Sequence, residues 1–515
     1  MTDILETESF RSLIILVNNF SAGNNAENQI ESSLDLDISD TCECEQAKQD
    51  RLQPENKEQI GTTDEKSDVE TKEVDGISQM EGKEFVSHPR TYLENDRRII
   101  EACLIISFCA FPLGWDVGTT GFMVSHQSFT NSYGSLSSLM IGVLISCFNL
   151  GCLVGCLTIG QLKMNLKYAI QISLSIYLLG SGVEWLASYE NWGLTVYLFG
   201  RVFCGVCCGA LCVIAPIYTS ELIVNESKRG PYLSFFQAQV CGWILLGNLA
   251  NVLYDRMGQP FLVVIYAKVA FTLLFGISLL RVPNSIKYYL EKKAIDKLYG
   301  VYRQIYVNAD AELVDREIDY YVPSPSDQGW VSIFKSPNLS KTMICCCLMA
   351  FQQLTGINYF FYYGNIIFNS SYSIIIMSVA NLVGGLSSGK ILQFFQIKTI
   401  LIAGSFTMSL LMLAYSIFGL IQHTLVNVIS PILIVITCLF ILCFAVSWGP
   451  CCGILSCLIS GNSSEIMGLA ISVNWIFNFA ISIVTPILIA KLEFSYGFIF
   501  CFNLLVMGLF VLRFL

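Results

Sequence analysis

Apolar segments long enough to cross a lipid bilayer dominate the sequence from Ile99 to its last residue. Each is about 20 residues long, the length that an α-helix needs to cross the hydrocarbon core. We count about twelve and number them spans 1 to 12. They lie near 99–124, 136–160, 168–188, 194–218, 231–253, 261–281, 341–364, 373–396, 399–421, 428–459, 466–490 and 496–514. The pattern predicts an all-α membrane protein with 12 transmembrane helices in two six-helix halves.

Composition supports the same class of protein. Hydrophobic residues make up 54% of the chain and charged residues 14%, whereas soluble domains average about 25% charged residues. The chain has 21 cysteines, mostly inside the apolar segments, where thiols behave as small hydrophobic groups. The sequence shows no metal-ligand cluster, nucleophile constellation or phosphate-binding loop. We therefore expect no enzyme activity, no cofactor, no metal and no nucleic-acid partner.

The start of the chain differs from the rest in charge. Residues 1–98 contain 23 acidic and 10 basic side chains, although the net charge of the whole chain is −10. Such a segment predicts a disordered cytosolic tail, whose partner the sequence does not identify. We divide the chain into an acidic tail (1–97), an amino-terminal half (98–281), a cytoplasmic linker loop (282–340) and a carboxyl-terminal half (341–515).

Lysine and arginine residues between the spans predict the orientation. They fall in the connections on one side of the membrane, and that side is expected to be the cytoplasm. Both termini are then cytoplasmic, and we expect a multi-pass protein of the plasma membrane. The residues are Arg97, Arg98, Lys163, Lys167, Lys228, Arg229, Lys287, Lys292, Lys293, Lys297, Arg303 and Lys398.

Span 7 contains the most polar stretch of the apolar region, from Gln352 to Tyr363. Its adjacent glutamines, its asparagine and its paired tyrosines are costly in hydrocarbon unless each polar group finds a partner or a wet cavity. Amides hydrogen-bond hydroxyl groups, and aromatic rings cover C–H faces. We interpret the stretch as a site for a neutral, polyhydroxylated ligand. The alternative is that these side chains only join neighbouring helices.

Charged residues inside the spans also need partners. Asp116 lies in span 1 and Arg201 in span 4, and pairing them is the economical arrangement for two buried charges. Glu184 in span 3 and Lys268 in span 6 are expected to extend toward the membrane interface. The sequence assigns no partner to Lys268.

Several motifs resemble those of the sugar porter family, within the major facilitator superfamily. They recur in the order and spacing of that family over about residues 111–502, and they are most similar to fungal hexose transporters. The motifs are Phe111-Pro112-Leu113-Gly114-Trp115-Asp116, Phe199-Gly200-Arg201, Pro216-Ile217-Tyr218-Thr219-Ser220-Glu221 with Lys228-Arg229-Gly230, the span 7 stretch, and Asn474-Trp475-Ile476-Phe477-Asn478-Phe479.

The resemblance implies the major facilitator fold, a lipid bilayer as environment and a sugar as substrate. It assigns sugar binding to the amides Gln237, Gln352, Gln353, Asn358, Asn381 and Asn474. It assigns coupling or gating to Asp116, Arg201, Glu221, Arg229, Tyr362 and Tyr363. The Asp–Arg pair links protonation to transport in proton-coupled members, whereas some facilitative members keep the same aspartate. A proton therefore stays an open partner, and a fixed structural ion pair is the alternative.

The charged gate motifs of the family are degenerate in this chain. Met164 and Gln393 stand where the family has aspartates after spans 2 and 8, and Leu458 replaces a gate glutamate. In span 10, Gly453 stands where an aromatic residue is usual. Networks of such charges hold the two halves together in one state. We therefore expect a shifted balance between inward-facing and outward-facing states, and weaker transport.

The prediction is transport of a hexose-like sugar by alternating access, by facilitated diffusion. One alternative is a proton-coupled sugar symporter. The other is a non-transporting sugar sensor or degenerate relative, which would bind sugar without moving it.

Overall fold

The structure is a computed structural model that describes most of the chain after the acidic tail. The described residues are 97–124, 126–189, 193–223, 226–258, 260–305, 314–315, 329–368, 371–422 and 426–515. The predictions about the tail before Arg97 lie outside these residues.

Every regular element within the described ranges is helical. The α-helices, numbered in chain order, are α1 (Arg97–Ser107), α2 (Phe111–Met123), α3 (Gln127–Tyr133), α4 (Ser138–Gln161), α5 (Leu166–Tyr189), α6 (Leu194–Leu222), α7 (Glu226–Arg256), α8 (Leu262–Ser278), α9 (Ile286–Glu291), α10 (Ile295–Ile305), α11 (Asn338–Leu354), α12 (Ile357–Phe368), α13 (Ser371–Phe394), α14 (Ile397–Leu420), α15 (Val426–Val446), α16 (Trp448–Ser460), α17 (Ser464–Leu492) and α18 (Gly497–Phe514). A 3₁₀ turn, Phe108–Ala110, joins α1 to α2.

The helices match the predicted spans. Among the described residues, 11 helices are long and apolar enough to cross a membrane, and the bent pair of α11 and α12 makes up to 12. Spans 1 to 6 correspond to α1 with α2, then α4, α5, α6, α7 and α8. Spans 7 to 12 correspond to α11 with α12, then α13, α14, α15 with α16, α17 and α18. The predicted all-α membrane fold is confirmed.

Two spans that carry site motifs are broken, which the sequence did not predict. In span 7, α11 ends at Leu354 and α12 begins at Ile357, with a bend of 41° between them. Gly356 has a φ of 87°, and a Cβ atom there would collide with the ring of Phe500. Glycine meets both demands because it lacks a Cβ atom. In span 10, Ser447 separates α15 from α16 with a non-helical φ of −108° and ψ of −91°.

Glycines allow α4 and α6 to touch backbone to backbone. A Cβ atom at Gly205 would collide with the carbonyl oxygen of Phe148, and one at Gly209 with that of Cys152. Close packing of this kind stabilises helix association in a membrane, where no hydrophobic force drives helices together. Gly205 and Gly209 therefore form a packing surface that holds α6 on α4.

The spans before the linker and those after it meet along two lines. The helix α4 packs against α17, and α7 packs against α13. On the second line, Gly385 of α13 lies against Ala238 and Cys241 of α7. We call the two sets the amino-terminal and carboxyl-terminal groups, and the end of the bundle that carries α9 and α10 the linker end.

Glu184 and Lys268 form a buried ion pair with each other. Their side chains are 2% and 6% exposed, and Lys268 Nζ lies 2.7 Å from Glu184 Oε2. The ammonium group also lies 4.9 Å from the centre of the Tyr177 ring. The expectation that both side chains extend to the membrane interface is therefore wrong. Because α5 packs on α8, each charge reaches the other without reaching water.

This pair predicts a specific order of stabilities. Lys268→Met leaves the Glu184 carboxylate buried without its counter-ion, and such a loss costs about 3–5 kcal/mol. The double variant Glu184→Gln with Lys268→Met removes both charges and should be more stable than Lys268→Met alone. Thermal unfolding of the purified protein in detergent measures the order. Lys297→Met, at an exposed position of α10, is the matched control and should leave the unfolding temperature unchanged. A double variant less stable than Lys268→Met would contradict the pairing argument.

Candidate functional site

A cavity of about 170 Å³ lies between the amino-terminal and carboxyl-terminal groups. Its lining is apolar, aromatic or amide in character, and none of the described residues that form it carries a charge. Nowhere in the described part of the chain do three His, Cys, Asp or Glu side chains come together as a metal site. All six amides that the family resemblance assigns to sugar binding line this cavity. They are Gln237, Gln352, Gln353, Asn358, Asn381 and Asn474.

The break in span 7 organises a network of amides. Gln353 lies just before the break, in α11, and Asn358 just after it, in α12. Asn358 Nδ2 donates to Gln353 Oε1 at 2.5 Å, and Gln353 Nε2 donates to Asn474 Oδ1 of α17 at 2.8 Å. Three amides from three helices are therefore brought together, and one hydrogen bond connects the two segments of span 7.

Gln352 is held by partners within the carboxyl-terminal group. Its Nε2 donates to the carbonyl oxygens of Trp448 and Gly449 at 3.0 Å and 2.9 Å, beside the break in span 10. Its Oε1 accepts a bond of 2.8 Å from Asn474 Nδ2, which also donates to the Met349 carbonyl at 2.9 Å. In this state Gln352 joins α11, α16 and α17 while forming part of the cavity wall.

Two amides retain hydrogen-bonding capacity toward the cavity. Asn381 of α13 is 2% exposed, and its Oδ1 has no hydrogen-bond partner among the described residues. Gln237 of α7 donates a bond of 3.6 Å to Cys241 Sγ, and sulfur is a weak acceptor. A buried acceptor without a partner is costly, so a ligand hydroxyl at Asn381 would relieve that cost.

Sequence reasoning missed Trp475 and Asn478 as cavity residues. Both line the cavity. The indole N–H of Trp475 is buried and, among the described residues, has no hydrogen-bond partner. Asn478 Oδ1 accepts a bond of 3.2 Å from Asn149 Nδ2 of α4. The available signal was helical spacing, since Asn478 lies four residues after Asn474 and thus on the same face of α17.

The structure brings Asp116 and Arg201 together beside the cavity. Arg201 Nη1 and Nη2 donate to Asp116 Oδ1 and Oδ2 at 2.9 Å and 3.0 Å, and Arg201 Nε donates to the Leu144 carbonyl at 3.0 Å. The Asp116 side chain is 6% exposed and the Arg201 side chain is 3% exposed. Val117, the residue after Asp116, lines the cavity. A bidentate pair of this geometry is among the strongest side-chain interactions in proteins.

The paired tyrosines occupy different environments in α12. Tyr362 lines the cavity, and its carbonyl oxygen lies next to Gly121 of α2, so that the two groups touch at this point. The Tyr363 hydroxyl donates to the Ser482 carbonyl of α17 at 2.6 Å. Tyr362 thus contributes to the contact between the two groups, whereas Tyr363 packs within the carboxyl-terminal group.

Glu221 and Arg229 lie away from the cavity, at the linker end. Glu221 Oε2 accepts a bond of 2.7 Å from the Ser285 hydroxyl, and Arg229 Nε donates to the Ile223 carbonyl at 3.0 Å. These contacts place both residues where α6 meets the start of the linker.

A lysine of the linker connects the two groups at the same end. Lys287 Nζ donates to the backbone carbonyl of Asn462, which lies between α16 and α17, at 3.2 Å. Lys167, which stands where the family has a glycine, donates to the Val282 carbonyl at 2.6 Å. Backbone carbonyls thus accept bonds from lysines in the region where the family's gate motifs are degenerate.

Comparison with known sequences covers the helical bundle. The profile of a family described as sugar (and other) transporters matches residues 102–515. The hexose transporter HXT14 of Saccharomyces cerevisiae is 29% identical over 459 residues, which cover 79% of this chain and 84% of that protein. The low-affinity glucose transporter HXT1 of the same yeast is 26% identical over 464 residues, with coverage of 83% and 80%.

Comparison with solved structures supports the fold. The Escherichia coli proton:xylose symporter XylE, bound to 6-bromo-6-deoxy-D-glucose, superposes with a TM-score of 0.67. The match covers 81% of this chain and 95% of that one at 19% sequence identity. At this identity the likeness shows the major facilitator fold. The family profile, which matches most of the chain, shows that the chain belongs to the family of sugar (and other) transporters.

Proposed function

We propose that this chain moves a hexose-like sugar across a membrane by alternating access, through facilitated diffusion. The relatives named above are hexose and glucose transporters by name, and they match about four-fifths of this chain. We interpret the chain as a carrier and not as an enzyme because it belongs to this family. A non-transporting sensor is the less favoured alternative.

The observation that carries the proposal is the chemistry of the cavity wall. Seven amides and several aromatic side chains line the space between the two groups, and no charged side chain is among the described residues of this lining. Amides donate and accept hydrogen bonds, as sugar hydroxyls do, and aromatic faces pack against C–H groups. An ion would find no counter-charge in this lining. The wall therefore favours a neutral, hydroxyl-rich ligand.

Sugar binding can be linked to movement through the break in span 7. A hydroxyl can accept a bond from Asn358 and donate one to Gln353, and so take the place of the bond between them. Asn381 and Trp475, which also line the cavity, supply further contacts. Ligand capture then acts on α12, the segment that contacts α2 through Tyr362. This arrangement supports a carrier whose gate responds to its ligand.

The Asp116–Arg201 pair is proposed to bias the balance between states. Both oxygens of the Asp116 carboxylate accept bonds from the guanidinium group, so the pair is a fixed tie between α2 and α6. Facilitated diffusion needs no proton carrier, and this fixed pair supports it. The xylose protein is a proton symporter by name, and proton coupling is the alternative that the test of Asp116 below decides.

The chain is a multi-pass membrane protein, and we propose the plasma membrane as its location. We further propose that the linker end and both termini face the cytoplasm. The support is the set of lysines and arginines in the connections at that end, which follow the positive-inside rule.

The first test is uptake of radiolabelled glucose in cells stripped of their own hexose carriers. We expect saturable uptake and counterflow without a pH gradient. Glucuronate should compete at least about 100-fold more weakly than glucose, because its carboxylate would enter a cavity without a counter-charge. Surface expression is checked in parallel. Normal expression without uptake would contradict transport, and glucose-dependent thermal protection of that protein would then support a sensor.

Gln353→Ala tests the amide network. The substitution removes the amide oxygen that is proposed to accept a bond from a ligand hydroxyl and the amide N–H that holds Asn474. Each such bond is worth about 0.5–1.5 kcal/mol, so glucose affinity should fall about tenfold or more. Titration calorimetry on the purified chain measures the affinity. Gln393→Ala, at an exposed position near the end of α13, is the matched control and should bind normally. Equal affinity of the Gln353 variant and the unsubstituted chain would refute the assignment.

Asp116→Asn distinguishes facilitated diffusion from proton symport. For a facilitator, uptake by the unsubstituted chain should be equal at acidic and neutral external pH. The variant should be slower, by about tenfold, because Arg201 loses its counter-ion, and equally slow at both pH values. Acid-stimulated uptake that Asp116→Asn abolishes would instead establish proton coupling.

A further inference from the structure

One aromatic side chain lies between the buried ion pair and the cavity. Phe148 of α4 is 1% exposed, and the guanidinium carbon of Arg201 lies 5.4 Å from the centre of its ring. That distance is within the range of a cation–π interaction, which is stronger where water is excluded. Three nitrogens of Arg201 are fixed by hydrogen bonds to Asp116 and Leu144. The ring of Phe148 therefore packs against the Arg201 guanidinium group, and the hydrogen bonds to Asp116 fix the orientation of that group.

The same ring contacts the cavity residue Trp475. The two ring centres are 6.4 Å apart and the planes are inclined by 76°, an edge-to-face arrangement that is favourable for aromatic pairs. Trp475 belongs to α17, in the carboxyl-terminal group, whereas Phe148 belongs to the amino-terminal group. The Trp475 side chain also lines the cavity. The contact thus joins the ion pair of one group to the ligand wall of the other.

A second contact holds the same two helices in register. Asn149, the residue after Phe148, donates to Asn478 Oδ1 and to the Ser482 hydroxyl at 3.2 Å and 3.3 Å. Asn478 lies three residues after Trp475, and so about one turn along α17. Because both side chains of this asparagine pair are buried, the bonds fix α4 against α17. The aromatic contact therefore has a defined geometry.

We propose that Phe148 is a positioning residue that transmits the state of the Asp116–Arg201 pair to Trp475 and thereby adjusts sugar affinity. The inference rests on the proposed function, since it takes sugar as the ligand of the cavity that Trp475 lines. Interiors are close-packed, so a change in the orientation of the guanidinium group displaces the ring that packs on it. The edge of that ring positions the indole, and contacts of aromatic rings depend on their orientation and distance.

The test is a double-mutant cycle measured by glucose binding to the purified full chain. Asp116→Asn alters the ion pair, and Trp475→Phe replaces the indole of the cavity wall with a smaller ring. We expect Asp116→Asn to weaken glucose binding about three- to tenfold, and this effect to fall below about twofold when Trp475→Phe is also present, as coupled sites do. In the Phe148→Leu background the effect of Asp116→Asn should likewise fall below about twofold.

Two further sets of variants separate coupling from packing. Phe129→Leu is the control, because Phe129 is equally buried but its ring contacts Tyr133, Tyr197 and Phe261 instead. It should leave the effect of Asp116→Asn intact. Fluorinated phenylalanines at position 148 keep the shape of the ring and weaken its attraction for a cation. The effect of Asp116→Asn should decrease stepwise with the number of fluorines.

The outcomes decide the inference separately from the proposed function. Asp116→Asn could have the same effect in the Phe148→Leu and fluorinated backgrounds as in the unsubstituted chain, while glucose binding is normal. That result would overturn the inference and leave the proposed function standing. If Phe148→Leu does not fold, the fluorinated series decides the question by itself. Absence of glucose binding by the unsubstituted chain would overturn the proposed function and the inference together.

Discussion

Polar groups inside a lipid bilayer must be paired within the protein, and this constraint shapes the whole bundle. Helices satisfy the backbone, and the buried charges satisfy each other, as Glu184 and Lys268 do at 2.7 Å. Amides are paired with amides and with carbonyl groups around the break in span 7. Asn381 Oδ1 and the Trp475 N–H are two of the buried polar groups that have no partner among the described residues, and both residues line the central cavity. The same rule therefore bears on the stability of the bundle and on the chemistry of its site.

The two groups of spans meet this constraint by different means. In the amino-terminal group, two ion pairs connect α2 to α6 and α5 to α8. In the carboxyl-terminal group, uncharged amides connect α11, α12, α16 and α17. Each group is thus tied internally, while contacts between them include single bonds such as that from Lys287 to the Asn462 carbonyl. Such bonds are individually weak, so the groups can separate at one end without breaking the ties within either.

Features that depend on length and composition could be predicted from the sequence, and features that depend on contacts between distant segments could not. The spans follow from hydropathy, and the family motifs pointed to the amides that line the cavity. The pairing of Glu184 with Lys268 requires that α5 and α8 be neighbours, which no local pattern states. Two of the partners of Gln352 are backbone carbonyls, which have no signature in a sequence. The break at Gly356 depends on a backbone angle and on the ring of Phe500. The roles of the site residues in gating stay predictions.

The break at Gly356 divides span 7 into two helical segments that one side-chain hydrogen bond joins. The first segment, α11, carries Gln353, which is bonded to α17 through Asn474. The second segment, α12, carries Asn358 and Tyr362. Exchanging the bond between Asn358 and Gln353 for bonds to a ligand changes the free energy by about 1 kcal/mol or less, the net worth of one hydrogen bond. A step of that size is close to thermal energy and is quickly reversible. Ligand capture would then stay near equilibrium, and the slower movement of the two groups relative to each other would limit the rate of each transport cycle.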